Sequence, residues 1–279
     1  METSYTVSAI VLVYNGGKYL KPCIDSLVNQ TLNNIEIILV NDASTDNSLE
    51  VCEEFAKKYD NIKIIDKKEN KGLGNSANMG IKAASGEYVI LIDNDDYIPP
   101  YAFEKMYTKA KKTNSDIVTG RPNFLGKYQY EVVNFERNLW LKERTIKNIR
   151  DYPLLFGEGY YWNKIVKKQL LLEKNIKLDE SNIYADVGYS SAAFSYAKNI
   201  SIIPDVVYIW RQRWSPNDQS LTKRTPKIEN YKHRINIYTT NIAFVSSIYP
   251  DYFKMVARRI IIPIKGILTD EKFKEVFLA

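Results

Sequence analysis

Tyr88-Val-Ile-Leu-Ile92 runs straight into Asp93-Asn94-Asp95-Asp96. Five apolar residues without polar alternation suit a strand covered on both faces, and the run is too short for a helix. Working outward, Ala9-Ile-Val-Leu-Val13, Glu36-Ile-Ile-Leu-Val40 and Ile62-Lys-Ile-Ile65 read as three more such strands. Between them Leu20, Cys23, Ile24, Leu27 and Val28, then Leu49, Cys52, Phe55, Ala56 and Tyr59, recur at helical spacing. Both stripes read as core. A third helix is expected from about Gly74 to Ala84, and Thr45 or Asp46 is placed to cap the second. Such alternation predicts an α/β fold with a doubly wound, mostly parallel, Rossmann-like sheet.

Past residue 100 the pattern becomes an aromatic-rich mixture. Helices are expected near 100–112, 164–174 and 185–197, with short strands near 117–120 and 205–211. The chain divides at about residue 110 into a first half, 1–110, and a mixed α/β extension, 111–279, of one continuous domain. Its 279 residues can bury a full core. The composition, 45% hydrophobic and 26% charged, is that of a folded globular protein. A net charge of +6 permits an anionic ligand or membrane surface without singling out nucleic acid, and no nucleic-acid partner is expected. Cys23 and Cys52 lie far apart in helical stripes and read as quiet thiols of a reducing compartment. Met1 to Ser8 carries no leader-like run and no apolar stretch is long enough to span a bilayer, so a cytoplasmic protein is expected. Met255 to Leu268 mixes basic and apolar residues, as an interfacial segment or a buried terminal helix would, which extends the expectation to the inner face of the cell membrane.

In open α/β sheets ligands bind beyond the carboxyl ends of the strands. There the chain places Tyr14-Asn15-Gly16-Gly17, Asn41-Asp42, the polar stretch Asp66 to Gly72, and Asp93 to Asp96. Any strand must end in polar, turn-forming residues, but four clusters on one edge point to a site. Three carboxylates within four residues repel one another unless a cation compensates. In an extended segment Asp93 and Asp95 would share one face, with Asn94 and Asp96 on the other. Two hard carboxylates suit Mg²⁺ or Mn²⁺, which commonly bind together with substrate phosphates.

The ordered motifs Val11-Leu-Val-Tyr-Asn15, Cys23-Ile-Asp-Ser-Leu27 with Gln30, Asn41-Asp-Ala-Ser-Thr-Asp46, Asn78-Met-Gly80, Ala84-Ser-Gly-Glu-Tyr88 and Ile92-Asp-Asn-Asp-Asp96 resemble glycosyltransferase family 2. The resemblance implies a GT-A fold and an inverting transfer from a nucleotide sugar, with a uridine diphosphate sugar as donor. It implies that Val13, Tyr14, Asn15 and Asp42 contact the base and ribose, Asp42 being the uracil candidate. Asp93 and Asn94 would hold the ribose or sugar side, and Asp95, with Asp93, a Mn²⁺ or Mg²⁺ ion on the diphosphate. Many members carry an arginine at the position of Ala77, so Lys71, Arg211 or Arg213 would supply the charge. Trp162-Asn-Lys164, Tyr184-Ala-Asp186 and Tyr208-Ile-Trp-Arg-Gln-Arg213 follow in the order of an acceptor side. There Trp162, Lys164 and Trp210 would meet a carbohydrate or glycolipid acceptor, and Asp186 would be the general base. The acidic neighbour common in the family is replaced by Ala185.

Other readings use the same residues. Gly72-Leu-Gly74-Asn-Ser-Ala77 imitates a dinucleotide-binding fingerprint, but six polar residues separate it from the preceding strand, where that mechanism needs the turn directly. His233 is the sole histidine, which excludes His-based triads, and it reads as an exposed helix residue. Ala77 and Ala185 leave room for a non-catalytic sugar-nucleotide-binding module. A nucleotidyltransferase on a related fold would use a glycine-rich first loop with a basic residue, for which Gly16-Gly17-Lys18 is a thin likeness.

Overall fold

In a computed structural model, which describes residues 5–125, 138–213 and 227–252, the apolar runs do form the heart of a sheet. The element order begins β1 (Val7–Val13), α1 (Gly17–Val28), β2 (Ile35–Asn41), α2 (Ser48–Lys58), β3 (Ile62–Asp66), α3 (Gly72–Ala83), β4 (Tyr88–Asp93) and α4 (Ala102–Thr113). It continues with β5 (Ile117–Leu125), β6 (Arg144–Ile146), β7 (Lys164–Lys167), α5 (Lys168–Glu173), α6 (Ala185–Tyr196), β8 (Ile200–Arg211) and α7 (Lys227–Ile248). Every residue of β1 and β2 is buried, as continuous apolar strands between two helical layers require. Burying each such Val, Ile or Leu side chain contributes about 1.5–3 kcal/mol.

One sheet of eight strands runs in the order β3-β2-β1-β4-β7-β5-β8-β6. The first four strands pair in parallel. β7 is antiparallel to both β4 and β5, and β5 and β8 pair in parallel. The chain winds outward from β1 to β3 and returns to β4 on the other side of β1. The strand order therefore reverses between β1 and β4, and the crevice beyond Val13 and Asp93 is the topological switch point. Helix α3 comes close to the sheet because Gly80 has no side chain: a Cβ there would lie 2.3 Å from Cγ2 of Ile10.

Several expectations are corrected. Residues 164–174 are not one helix, since Lys164–Lys167 extends the sheet before α5 begins. The strand expected at 205–211 starts at Ile200, and that at 117–120 continues to Leu125. The N-cap of α2 is Asn47, without a side-chain bond; Asp46 Oδ1 instead accepts from Ser48 N at 3.0 Å. His233 lies on α7, but its side chain is only 21% exposed and its Nε2 is 3.6 Å from Glu229 Oε1. Both cysteines are buried core thiols, and burial pushes the Cys52 thiol up to about 12. No helix among the described residues is long and apolar enough to cross a membrane. The segment Met255 to Leu268 lies outside the described residues.

Pairing of β5 with β8 shifts register twice, around Arg121 and Pro122. A proline cannot donate to the ladder and belongs at such an irregularity. Beyond the shift, Ile209 exchanges two backbone hydrogen bonds with Tyr97, of 2.9 and 3.3 Å. These bonds dock the far end of β8 onto the loop that follows β4.

Candidate active site

The acidic loop is a turn, because Asp96 N donates to Asp93 O at 3.2 Å. The alternation expected of an extended segment therefore does not hold, and each carboxylate has its own surroundings. Asp96 is buried and accepts from Tyr208 Oη at 2.8 Å and Arg211 N at 2.7 Å. Burial, reinforced by the charges of Asp95 and Asp93, pushes its carboxyl well above the usual range. Asp96 thus braces the loop against β8 from inside. Asp93 Oδ1 accepts from the Tyr161 hydroxyl. Burial first, and then the charge of Asp95, raises the Asp93 carboxyl to about 7. Asp95 Oδ2 is ion-paired with Arg213 Nε at 2.7 Å, and Arg211 Nε donates to Asp95 O at 2.8 Å. Asn94 Nδ2 donates to Tyr14 O at 3.2 Å and so ties the loop to the end of β1.

At the carboxyl ends of β1 and β2 Val13 is buried, so only its backbone is available; its carbonyl accepts from Asp42 N at 2.8 Å. Tyr14 is 44% exposed, the open ring of this edge. Asn15 adopts a left-handed φ of 47°, and its Oδ1 accepts from Thr45 N at 2.8 Å. Asp42 is buried and ion-paired with Lys67, and it accepts from Lys71 N at 2.9 Å and Gly72 N at 2.8 Å. In this arrangement its carboxylate pins the Lys67–Gly72 loop to the end of β2. The Lys71 ammonium lies 3.6 Å from Glu69 at the surface.

Across the crevice, Asp186 stands in the first turn of α6. Burial raises its carboxyl to about 7, against hydrogen bonds from the Val187 and Asp186 amides and the charge of Lys164. Its charge is felt at Asp93, at Tyr161 and at Lys164, so base candidate and acidic loop belong to one electrostatic unit. Lys164 is fully buried: its Nζ is 2.9 Å from Glu158 Oε2, and it donates to Asn163 Oδ1 at 3.0 Å and to Tyr160 O. Burial lowers its pKa despite that partner. Trp162 lies between the rings of Tyr160 and Tyr208, at 4.5 and 4.4 Å between centroids, so both its faces are covered. Trp210 is less enclosed and tilts against Phe124 at 5.3 Å. Of the two rings, it has more surface to offer a ligand.

The structure thus brings Arg211 and Arg213 onto the loop of Asp93, Asn94 and Asp95, with Asp186 within electrostatic reach of Asp93. Three contributors were not singled out by sequence reasoning: Tyr161, Lys67 and Tyr19, whose ring lies 4.9 Å from the Arg211 guanidinium. Nothing in their spacing marks them, because each acts on a partner distant in sequence. Two hard carboxylates beside two arginines suit a divalent cation and a diphosphate. Among the described residues no three His, Cys, Asp or Glu side chains form a metal cluster, so a cation held by Asp95 and Asp93 would draw further oxygens from a ligand's phosphates. Asp186, poised near neutrality, can take a proton.

Residues 8–170 match the family model described as glycosyl transferase family 2. The glycosyltransferase EpsJ of Bacillus subtilis is 33% identical over 245 residues, 85% of this chain and 69% of its own length. The poly(ribitol-phosphate) beta-glucosyltransferase of Bacillus spizizenii is 32% identical over 73% of this chain and 32% of its own. Among solved structures, S. aureus TarS 1-349 in complex with UDP-GlcNAc superposes with a TM-score of 0.73 at 22% identity, covering 85% of this chain and 66% of that one. The mannosyltransferase PcManGT of Pyrobaculum calidifontis, in complex with GDP-Man and Mn2+, does so with 0.59 at 15%. These two likenesses are of fold: a GT-A, Rossmann-like α/β sheet. The chain spans about two thirds of the length of EpsJ and of that TarS chain.

Proposed function

Since the chain belongs to glycosyltransferase family 2, we propose that it transfers a hexosyl or N-acetylhexosaminyl group from a uridine diphosphate sugar to a hydroxyl. The acceptor would be a carbohydrate or glycolipid in the synthesis of surface polysaccharide or glycoconjugate. A lipid-linked acceptor would place the enzyme at the inner face of the cell membrane. The observation that carries the reading is the convergence of Asp93, Asp95, Arg211 and Arg213 at the switch point, with Asp186 opposite. Asp186 takes the proton of the acceptor hydroxyl, whose oxygen attacks the anomeric carbon as the bond to the diphosphate oxygen breaks; attack from the opposite face inverts the centre. Arg211 and Arg213 receive the growing negative charge of the leaving group. Asp95 and Asp93 would hold Mn²⁺ or Mg²⁺, which supplies a Lewis acid for the phosphate oxygens. The UDP-GlcNAc complex of TarS supports the donor class, and the Mn2+ complex of PcManGT supports the metal.

A donor panel with Mn²⁺ or Mg²⁺ tests this reading, with the freed nucleoside diphosphate as readout. Release of UDP from a uridine diphosphate sugar, abolished by EDTA and by Asp95→Ala, is the expected result. Donor binding without turnover on any acceptor would make the chain a binding module. Pyrophosphate release from a nucleoside triphosphate and a sugar phosphate would make it a nucleotidyltransferase.

A further inference from the structure

Arg213 is paired with a carboxylate oxygen of Asp95, the residue that would hold a cation. Its Nε is 2.7 Å from Asp95 Oδ2, and the two side chains are only 18% and 13% exposed. Arg211 holds the same residue by its backbone carbonyl, at 2.8 Å. Both guanidinium groups flank the ring of Tyr19, at 4.9 and 5.8 Å from its centroid, an aromatic face against which a cation is stabilised away from the carboxylate. A guanidinium matches phosphate as well as it matches carboxylate. A diphosphate therefore brings Arg213 a second anion, which a metal entering alone does not.

Building on the metal-dependent reading above, we propose that Arg213 is a resident counterion of Asp95 that yields the carboxylate to a cation only when a diphosphate receives it. The physical reason is a balance of charge in a partly buried place. A divalent ion arriving without nucleotide must displace Arg213 and leave two positive charges beside each other. With a nucleoside diphosphate present, Arg213 exchanges one anion for another and the ion takes the vacated oxygen. Metal and nucleotide then bind as one event, and because the coupling is an equilibrium property each strengthens the other by the same factor. Donor-free protein is thereby kept from collecting cations at its acidic loop.

The measurement is Mn²⁺ binding, followed by the electron paramagnetic resonance signal of the free ion, with and without UDP. It compares wild type with Arg213→Ala, Arg213→Gln, Arg213→Lys and Asp95→Ala. Arg213→Ala is expected to bind Mn²⁺ alone about tenfold more tightly than wild type, and the gain produced by UDP is expected to shrink by at least that factor. Arg213→Gln, which keeps length and polarity, guards against a poorly folded alanine variant and should follow it; Arg213→Lys should stay near wild type. UDP-dependent binding that Asp95→Ala removes and Arg213→Ala and Arg213→Gln leave unchanged would overturn the counterion role alone. Binding untouched by Asp95→Ala, or no binding to any form even with UDP, would overturn the metal reading and this one with it.

Discussion

Asp186 lies in the first turn of α6, where an anion gains from the helix dipole and from the amides of that turn. Those amides donate to its carboxylate, and Lys164 adds positive charge, yet burial outweighs them and holds the group at about 7. A base needs this compromise. At an ordinary 3.8 it would be a weak proton acceptor, whereas near neutrality it is both half ionised and basic enough to sharpen a hydroxyl. Asp186→Asn is therefore expected to lower kcat by about 10²–10⁴ while leaving the donor KM close to wild type. In wild type kcat should fall as pH drops below the carboxyl's value of about 7. A variant with near-wild-type turnover would remove Asp186 from the proton transfer. The aspartate was legible from its motif, whereas its surroundings were not. Tyr161, which bonds Asp93, carries no local signal, and Arg213 was legible as a charge for the diphosphate but not as the partner of Asp95. Asp96 and Arg211, bonded at 2.7 Å, are 115 residues apart in sequence.

Helix α3 holds the stretch that precedes the proposed base, Asp186. Asn78 Oδ1 accepts from Leu178 N at 2.9 Å, and its Nδ2 donates to Leu178 O and to Glu180, both at 3.0 Å. Asn75 Nδ2 donates to Glu180 Oε2 at 2.9 Å. Gly74 lets the two backbones touch: a Cβ there would lie 2.5 Å from Asp179 O and 3.0 Å from Glu180 Cα. Residues 178–181 lead into α6, so the first half of the chain sets where the base helix starts. Of the glycines that imitate a dinucleotide fingerprint, Gly74 is thus explained by close packing, and Gly72 by its left-handed φ of 85°. Gly74→Ala must push the 178–181 backbone away, an overpacking that typically costs about 1–3 kcal/mol. A lower melting temperature and a kcat reduced more than the donor KM is raised are expected, with Met79→Ala, at an exposed site of the same helix, as control. Wild-type kcat in Gly74→Ala would show that this contact does not position Asp186. Elements β1, β2 and β4 were readable because their apolar runs are nearly continuous, and β3 is the partly exposed exception, broken by Lys63. The span 164–174 misled because a four-residue strand, Lys164–Lys167, abuts a six-residue helix, and both fit one helical period. Pairings beyond residue 110 depend on partners far apart in the chain, which periodicity does not encode.

Taken whole, the sheet carries opposite electrostatics at its two ends. At the carboxyl end Asp186 is held protonated longer than an ordinary carboxyl. At the amino end Glu36 of β2 is buried beneath Ser8 of β1, Lys63 of β3 and Ser85 before β4. It accepts from Ser8 Oγ at 2.5 Å, Lys63 Nζ at 2.7 Å and Ser85 N at 2.7 Å. Burial alone would raise the Glu36 carboxyl, but these donors overcome it and hold the group below its ordinary 4.5. A depressed carboxyl adds stability that is present above its unfolded pKa and lost as pH falls through its folded value. Asp186 works in the other sense. Its raised carboxyl favours folding below the unfolded value near 3.8, and that contribution is lost as pH climbs through about 7. Stability should therefore peak in mildly acidic solution and decline on both sides. Melting temperature followed across pH checks this, and the two arms can be separated. Asp186→Asn should leave the acid arm in place and flatten the alkaline one, melting above wild type at pH 8 by a margin that closes as pH falls toward the unfolded value near 3.8. Glu36→Gln should destabilise the protein near neutrality, where it breaks the ion pair with Lys63, and flatten the acid arm alone. An alkaline decline that survives in Asp186→Asn would mean that the strain at the carboxyl end comes from other carboxylates of the crevice. An acid decline unchanged in Glu36→Gln would mean that the four parallel strands are not locked by this residue.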